Sequence, residues 1–123
     1  MRRAYGEYAP TAQPEHARAL LQVGDLALDL AAGEMRFGGR VQSLTRNELK
    51  LLHLLMERAG EVVSREACLE ALWDDSSFVD DNTLTVNVTR LRAKLDAWDL
   101  DGAIQTRRGL GYQLAPDALR AAP

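Results

Sequence analysis

The spacing of hydrophobic and polar residues changes from a strand period to a helix period near residue 44. Before that point, apolar and polar residues alternate in four short runs, which read LLQVG, DLALDL, EMRFG and GRVQSL. Alternation of this kind is typical of strands with one buried face. Gly38-Gly39 is a hairpin signal, because glycine reaches positive φ at little cost. Residues 20–43 therefore predict an antiparallel sheet of about four strands.

The next segment has the features of a helix. Thr45 and Glu48 have the spacing of a T-x-x-E capping box, in which the hydroxyl and the carboxylate each accept a backbone N–H. Apolar residues then recur at helical spacing until Gly60 ends the helix. They are Leu49, Leu51, Leu52, Leu55 and Met56.

A second helix is predicted over residues 65–73. Val62-Val63 is compatible with a short extended segment, and Ser64 after it is a good N-cap. The side chains expected to be buried are Cys68, Leu69 and Leu72. The polar stretch DDSSFVDD follows as a loop, and Asp80 or Asp81 is suited to cap whatever comes next.

The stretch DDNTLTVNVTRLRAKL could be a strand or a helix. As a strand, its apolar face would become cationic halfway along, from Leu84 and Val86 to Arg90 and beyond. As a helix over residues 82–95, it has a single apolar stripe. The stripe consists of Leu84, Val88, Leu91 and Leu95. The helix is the consistent interpretation.

The face opposite this stripe is unusual for a solvated helix. It consists of Asn82, Val86, Thr89, Arg90 and Ala93. Exposed helix faces favour Glu, Lys and Gln, whereas this one has short side chains, no acid, one outward valine and one arginine. Arginine reads guanine edges and an apolar side chain contacts the thymine methyl in the major groove. The composition favours DNA contact, with an ordinary amphipathic helix as the alternative.

Residues 104–114 predict a hairpin with a basic tip. Two strand-like runs flank Gly109-x-Gly111, which is not a dinucleotide fingerprint because no helix follows and the third glycine is missing. Arg107 and Arg108 precede the turn. Arginine at a hairpin tip suits a narrow minor groove, although a solvated turn is also compatible with it.

The length and composition are typical of a single globular domain. The chain has 123 residues, 46% of them hydrophobic, and a formal net charge of -3. An acidic balance argues mildly against nucleic acid, but the charges are segregated. Residues 66–81 hold six acids and no base, whereas residues 82–95 hold three bases and no acid. The two segments already singled out are therefore basic and free of acid, despite the negative net charge.

Several classes of function are not expected. No apolar run approaches the ~18 residues of a membrane span, and the N-terminus lacks a signal-peptide core. Cys68 is the single cysteine and is expected to be a buried apolar residue. His16 and His53 lack a nucleophile or a metal partner, and His53 with Glu57 is not an H-E-x-x-H motif. Neither an enzyme, nor a metal, nor a cofactor is predicted.

Four motifs in this order resemble the effector domain of OmpR/PhoB-type response regulators. They read LTRNELKLLHLL, EVVSREACLEALW, DDNTLTVNVTRLRAKL and IQTRRGLGYQL. The resemblance implies an α+β winged helix-turn-helix: a four-stranded sheet, three helices and a C-terminal hairpin wing. It implies a cytoplasmic transcription regulator that binds promoter DNA as a tandem pair on direct repeats. RNA polymerase, an upstream receiver domain and its sensor kinase are the further partners implied.

The resemblance also assigns roles to residues. On the recognition helix, Val86 is placed at a thymine methyl and Arg90 at base edges, and Thr83, Asn87 and Arg92 at the DNA backbone. Thr89 and Lys94 complete the expected DNA-binding residues of that helix. The wing contributes Thr106, Arg107 and Arg108, and the second helix contributes phosphate contacts from Arg65 and Trp73. The loop expected to face RNA polymerase is Asp74, Asp75, Ser76, Ser77 and Phe78.

Two positions depart from the family pattern, and the boundaries follow from the motifs. Thr89 stands where many relatives have a basic residue, and Arg107 where an apolar residue is commoner. Residues 1–19 are expected to be an interdomain linker, with the end of a receiver domain as the alternative for their first residues. Residues 20–115 are expected to be the winged domain, and residues 116–123 a tail. A winged helix used for protein–protein contact remains the alternative function, which the acidic charge would suit.

Overall fold

The computed structural model describes residues 20–73 and 79–120, and the predicted linker at residues 1–19 lies outside them. Its strands are β1 (Leu20–Val23), β2 (Leu26–Asp29), β3 (Glu34–Phe37), β4 (Arg40–Ser43), β5 (Val62–Ser64), β6 (Ile104–Arg107) and β7 (Gly111–Leu114). Its helices are α1 (Arg46–Glu57), α2 (Arg65–Leu72), α3 (Asp81–Asp96) and a short 3₁₀ helix (Pro116–Leu119).

The predicted N-terminal sheet is confirmed. Its four antiparallel strands lie in the order β1-β2-β3-β4. Gly38 and Gly39 form the β3–β4 turn with φ values of 57° and 84°, the region that glycine adopts without a steric penalty. Leu26, Leu28 and Met35 alternate towards the core and are fully buried. The period-two pattern therefore identified the buried face correctly.

The α1 capping box also forms as predicted. The Thr45 hydroxyl accepts the Glu48 N–H, and the Glu48 carboxylate accepts the Thr45 N–H at 2.8 Å. The core lies between α1, α2, α3 and the two sheets, and its largest fully buried side chains are mostly leucines. Burial of these apolar side chains is the main force that holds the elements together.

A second sheet joins the wing to the middle of the chain. Its order is β5-β7-β6, so the three-residue β5 pairs with β7 on the side away from β6. Val63↔Tyr112 and Ser64↔Gly111 are partners in this pairing. The extended segment at Val62-Val63 was predicted, but its pairing with the C-terminal hairpin was not. Because of that pairing, the wing is anchored directly before α2 begins.

The packed unit extends beyond the predicted boundary at residue 115. Leu119, in the 3₁₀ helix, is 0% exposed and belongs to the core. Its carbonyl oxygen accepts the Asp25 N–H at 2.6 Å, which ties the end of the domain to the β1–β2 turn. Residues 116–119 are therefore part of the domain rather than of a tail.

Candidate nucleic-acid interface

The ambiguous stretch is a helix, α3. Asp80 is its N-cap and its carboxylate accepts the Thr83 N–H at 2.8 Å. This bond favours the charged form and lowers the pKa of Asp80 below its ordinary value. The predicted apolar stripe, Leu84, Val88, Leu91 and Leu95, is buried throughout. The outward face predicted from helical periodicity is therefore fixed by the burial of the opposite one.

One flank of α3 faces α1. Asn87 is only 5% exposed, and its side-chain amide donates to the Thr83 carbonyl at 2.9 Å. Lys94 donates to the Glu48 carboxylate at 2.6 Å and to the Ser43 carbonyl at 3.0 Å. Both side chains are thus hydrogen-bonded to groups of the protein itself. This geometry does not support the DNA contacts predicted for Asn87 and Lys94.

The ion pair of Lys94 determines the charge state of Glu48. Burial alone would raise the pKa of this carboxyl, but the hydrogen bonds from Lys94 and from the Thr45 backbone outweigh burial and lower its pKa below 4.5. A charge at a residue that is 1% exposed is stable only with such partners. Lys94 therefore has a structural role, as the charged partner of a buried carboxylate.

The other flank of α3 faces the wing. Arg92 donates from Nε to the Ile104 carbonyl at 3.2 Å and from Nη2 to the Thr106 hydroxyl at 3.0 Å. Both acceptors lie on β6. Arg92 and Thr106, two predicted DNA-contacting residues, are thus bonded to each other.

Arg65 makes a similar connection from the start of α2. Its guanidinium donates to the Tyr112 hydroxyl at 2.7 Å and to the Asp81 carboxylate at 3.2 Å. It also lies over the Tyr112 ring, 5.7 Å from the centroid. Desolvation opposes its charge, but the bonds to Asp81 and Tyr112 raise the pKa of Arg65 above its ordinary value. The predicted phosphate contact must compete with these partners.

The outward face of α3 presents one unpaired cation. Arg90 is exposed, and its guanidinium has no hydrogen bond or ion pair among residues 20–73 and 79–120. Asn82, Thr89 and Ala93 are exposed around it, and Val86 is half-buried. The Thr89 hydroxyl donates to the Thr85 carbonyl at 3.0 Å, within the helix itself. The exposed surface is small, free of acid and centred on Arg90.

The two wing arginines have different environments. Arg107 donates to the Gln113 side chain across the hairpin, and Gln113 in turn donates to the Gly60 carbonyl at 2.7 Å. Arg108 is exposed at the tip, with no partner in the described part of the chain. Leu110 beside it is 64% exposed. In the structure, Arg107 is hydrogen-bonded to Gln113 and Arg108 is free among the described residues. The sequence could not distinguish these two environments.

Trp73 lies in an acidic setting. It is 52% exposed at the C-cap of α2, in a groove of about 570 Å³ that it shares with four carboxylates. These are Glu66, Glu70, Asp80 and Asp81. Their charge disfavours a phosphate next to Trp73. The predicted polymerase-facing loop, Asp74 to Phe78, lies outside the described residues.

The described residues contain no cluster of three His, Cys, Asp or Glu side chains that could hold a metal ion. Nor do they contain a helix of the length and hydrophobicity that a membrane span requires. Cys68 is buried as predicted, and burial raises the pKa of its thiol to about 11. A thiol with such a pKa is a poor nucleophile at neutral pH.

The order of elements, with α3 packed on α1 and α2 and followed by a hairpin, defines a winged helix-turn-helix domain. Residues 39–114 match the family model described as "Transcriptional regulatory protein, C terminal". The chain belongs to this family, and the fold predicted from its motifs is confirmed.

Relatives and solved structures agree with this membership. The chain is 43% identical over 113 residues to the "Uncharacterized transcriptional regulatory protein YvcP" of Bacillus subtilis, a match that covers 92% of the chain and 47% of that protein. The chain thus spans about half the length of the curated relatives it matches. It also resembles the C-terminal domain of NsrR, described as a lantibiotic response regulator, at 39% identity and a TM-score of 0.68; the match covers 76% of the chain and 94% of that domain.

A third match is a DNA complex. The RstA DNA-binding domain of Klebsiella pneumoniae, solved with the RstA box, is 30% identical with a TM-score of 0.63. The match covers 79% of the chain and 97% of that domain.

Proposed function

We propose that this domain binds double-stranded promoter DNA as the output domain of a response regulator and thereby regulates transcription. The observation that carries the proposal is the pair of unpaired guanidinium groups, Arg90 on the outward face of α3 and Arg108 at the wing tip. A helix with little bulk and one arginine fits the major groove. A hairpin tip with a free arginine fits the adjacent minor groove. The related RstA domain, solved in complex with its RstA box, supports DNA as the partner.

The finer parts of the proposal rest on the family resemblance. We place the protein in the cytoplasm, as a binding module without catalysis, bound as a tandem pair on direct repeats. An upstream receiver domain, its sensor kinase and RNA polymerase complete the proposed partners. Selection of bound sequences from a random DNA pool tests the arrangement, because direct repeats would support the tandem pair and inverted repeats would contradict it.

Replacing Arg90 with Ala is expected to weaken binding to the selected site by about 1–3 kcal/mol and to relax the preference at one base position. Arg108→Ala should relax preference at the A·T-rich positions under the wing. Both are measured by titration of labelled duplexes, with each base of the site varied in turn. Arg40→Ala is the matched control, since it removes another exposed arginine from β4, outside both elements.

The same titrations decide between DNA and protein as the partner. Few cations project from this surface, so we expect modest affinity that falls as salt increases, because phosphate contacts release counterions. If Arg90→Ala and Arg108→Ala both bound the site as the unsubstituted protein does, DNA recognition by this surface would be wrong. The winged domain would then be better explained as a protein-contact module, for which the net charge of -3 is suitable.

A further inference from the structure

The position of the wing relative to α3 is maintained by side chains rather than by the hairpin backbone alone. Thr106 and Tyr112 are direct cross-strand partners in the β6–β7 pairing, so their side chains lie on the same face of the hairpin. Arg92 from α3 bonds to Thr106, and Arg65 from α2 bonds to Tyr112. One cross-strand pair is thus held by two guanidinium groups that originate on two helices.

We propose that Arg92 is a positioning residue, which sets the wing at a fixed distance and angle from α3, and not primarily a phosphate contact. The inference rests on the proposed function and deepens it. Two donors of Arg92, Nε and Nη2, point to acceptors on β6. A planar fork of this kind fixes direction as well as distance, which a lysine ammonium cannot do.

The geometry gives this bond a functional consequence. Arg90 and Arg92 are two positions apart on α3, so one side chain faces outward while the other faces the wing. On β6, Thr106 is two residues before Arg108, the free arginine of the tip. The Arg92–Thr106 bond therefore connects the two elements that carry the proposed reading groups, α3 and the wing. Holding them at the separation that DNA requires reduces the ordering needed on binding.

Three substitutions in the full 123-residue chain separate the two roles of Arg92. Arg92→Lys retains the positive charge but loses the fork, Thr106→Val removes the hydroxyl acceptor at nearly constant shape, and Thr106→Ser restores a hydroxyl. The first readout is amide hydrogen exchange of residues 105–113 without DNA. We expect about fivefold faster exchange in Thr106→Val, as for one lost hydrogen bond, and at least as large an increase in Arg92→Lys, which also loses the bond to Ile104. Thr106→Ser should exchange like the unsubstituted protein.

The second readout is DNA binding. Arg92→Lys and Thr106→Val should both lose discrimination at the base positions under the wing, while the slope of log affinity against log salt stays unchanged. A phosphate-contacting arginine behaves differently: Lys substitutes for it, and Arg92→Ala lowers the slope by about one. The double variant should be no worse than Arg92→Lys alone, because Arg92→Lys already removes the bond that Thr106→Val removes.

Two results would overturn the inference. One is amide hydrogen exchange of residues 105–113 that is as slow in Arg92→Lys and in Thr106→Val as in the unsubstituted protein. The other is full DNA binding by Arg92→Lys together with a reduced salt slope in Arg92→Ala. If the unsubstituted chain bound no DNA specifically, the proposed function would fail on its own, and the exchange measurement would still decide whether Arg92 positions the wing.

Discussion

Gly111→Ala is expected to destabilise the domain by about 3 kcal/mol or more, through a backbone clash. A Cβ at residue 111 would lie 1.9 Å from the Val63 carbonyl oxygen and 2.9 Å from the Ser64 Cα. These are main-chain atoms of β5 and cannot move aside as a flexible side chain can. Relief requires β5 and β7 to separate, which would break the sheet that anchors the wing and the entry to α2.

Gly109→Ala is the matched control for this substitution. Gly109 lies in the β6–β7 turn, two residues before Gly111, and its φ is 76°, yet a Cβ there would meet nothing within 4 Å. Gly109→Ala should lower the free energy of unfolding by only about 1 kcal/mol, the backbone strain of an alanine at positive φ. Denaturant unfolding of the two variants measures the difference. Equal losses of unfolding free energy would show that the contact between β5 and β7 is looser than the structure indicates.

Lys94→Met is expected to lower the free energy of unfolding by about 2–3 kcal/mol at neutral pH, because it leaves the Glu48 carboxylate buried without its charged partner. Methionine preserves most of the apolar stem, so the loss comes from the ammonium group. Glu48→Gln added to Lys94→Met should recover part of the loss, since it removes the unpaired charge while keeping an acceptor for the Thr45 N–H. Chemical unfolding of the single and double variants tests this.

The same ion pair predicts how stability varies with pH. The folded pKa of Glu48 lies below 4.5, so its contribution is present above that pH and is lost as the pH falls through the folded pKa. In Lys94→Met, burial without the partner raises the pKa, and protonation then relieves the buried charge. The stability difference between the two proteins should therefore shrink between about pH 7 and pH 4. A difference that stayed constant over this range would assign the loss to packing.

Local patterns determined the parts of the fold that the sequence predicted correctly. Alternation defined the four-stranded sheet, the capping box defined the start of α1, and a stripe of four apolar residues decided between strand and helix for α3. In each case the signal lies within a few residues of the element it predicts, and burial of the apolar positions enforces it. The exposed face around Arg90 follows directly from the buried stripe on the other side.

The roles of the flanking cations could not be predicted in the same way. The partners of Arg92 lie 12 and 14 residues away along the chain, and those of Lys94 lie 46 and 51 residues away. A basic residue on a helix flank looks the same in sequence whether it faces DNA or bonds to the protein. The predicted position of Asn87 on a flank of the helix was likewise correct, but its burial depends on tertiary packing, which a local pattern does not show.

The pairing of β5 with β7 could not be predicted either, because the two strands are far apart along the chain. Three residues are too few for a periodic signal, and Val62 is partly exposed at the sheet edge. The strand exists because β7 lies beside it. The nearest hint in the sequence is Gly111, whose missing side chain allows the two backbones to approach.

The internal bonding of the cations has a consequence for how such a domain would find its site in a genome. Of the five basic residues in α3 and the wing, Arg92, Lys94 and Arg107 are bonded within the protein, which leaves Arg90 and Arg108 to project. Weak attraction to arbitrary sequence shortens the time spent on the wrong DNA. In the proposed tandem pair, stable residence would then depend on both copies, because the second binds at a high effective concentration. Occupancy would respond sharply to whatever brings the copies together.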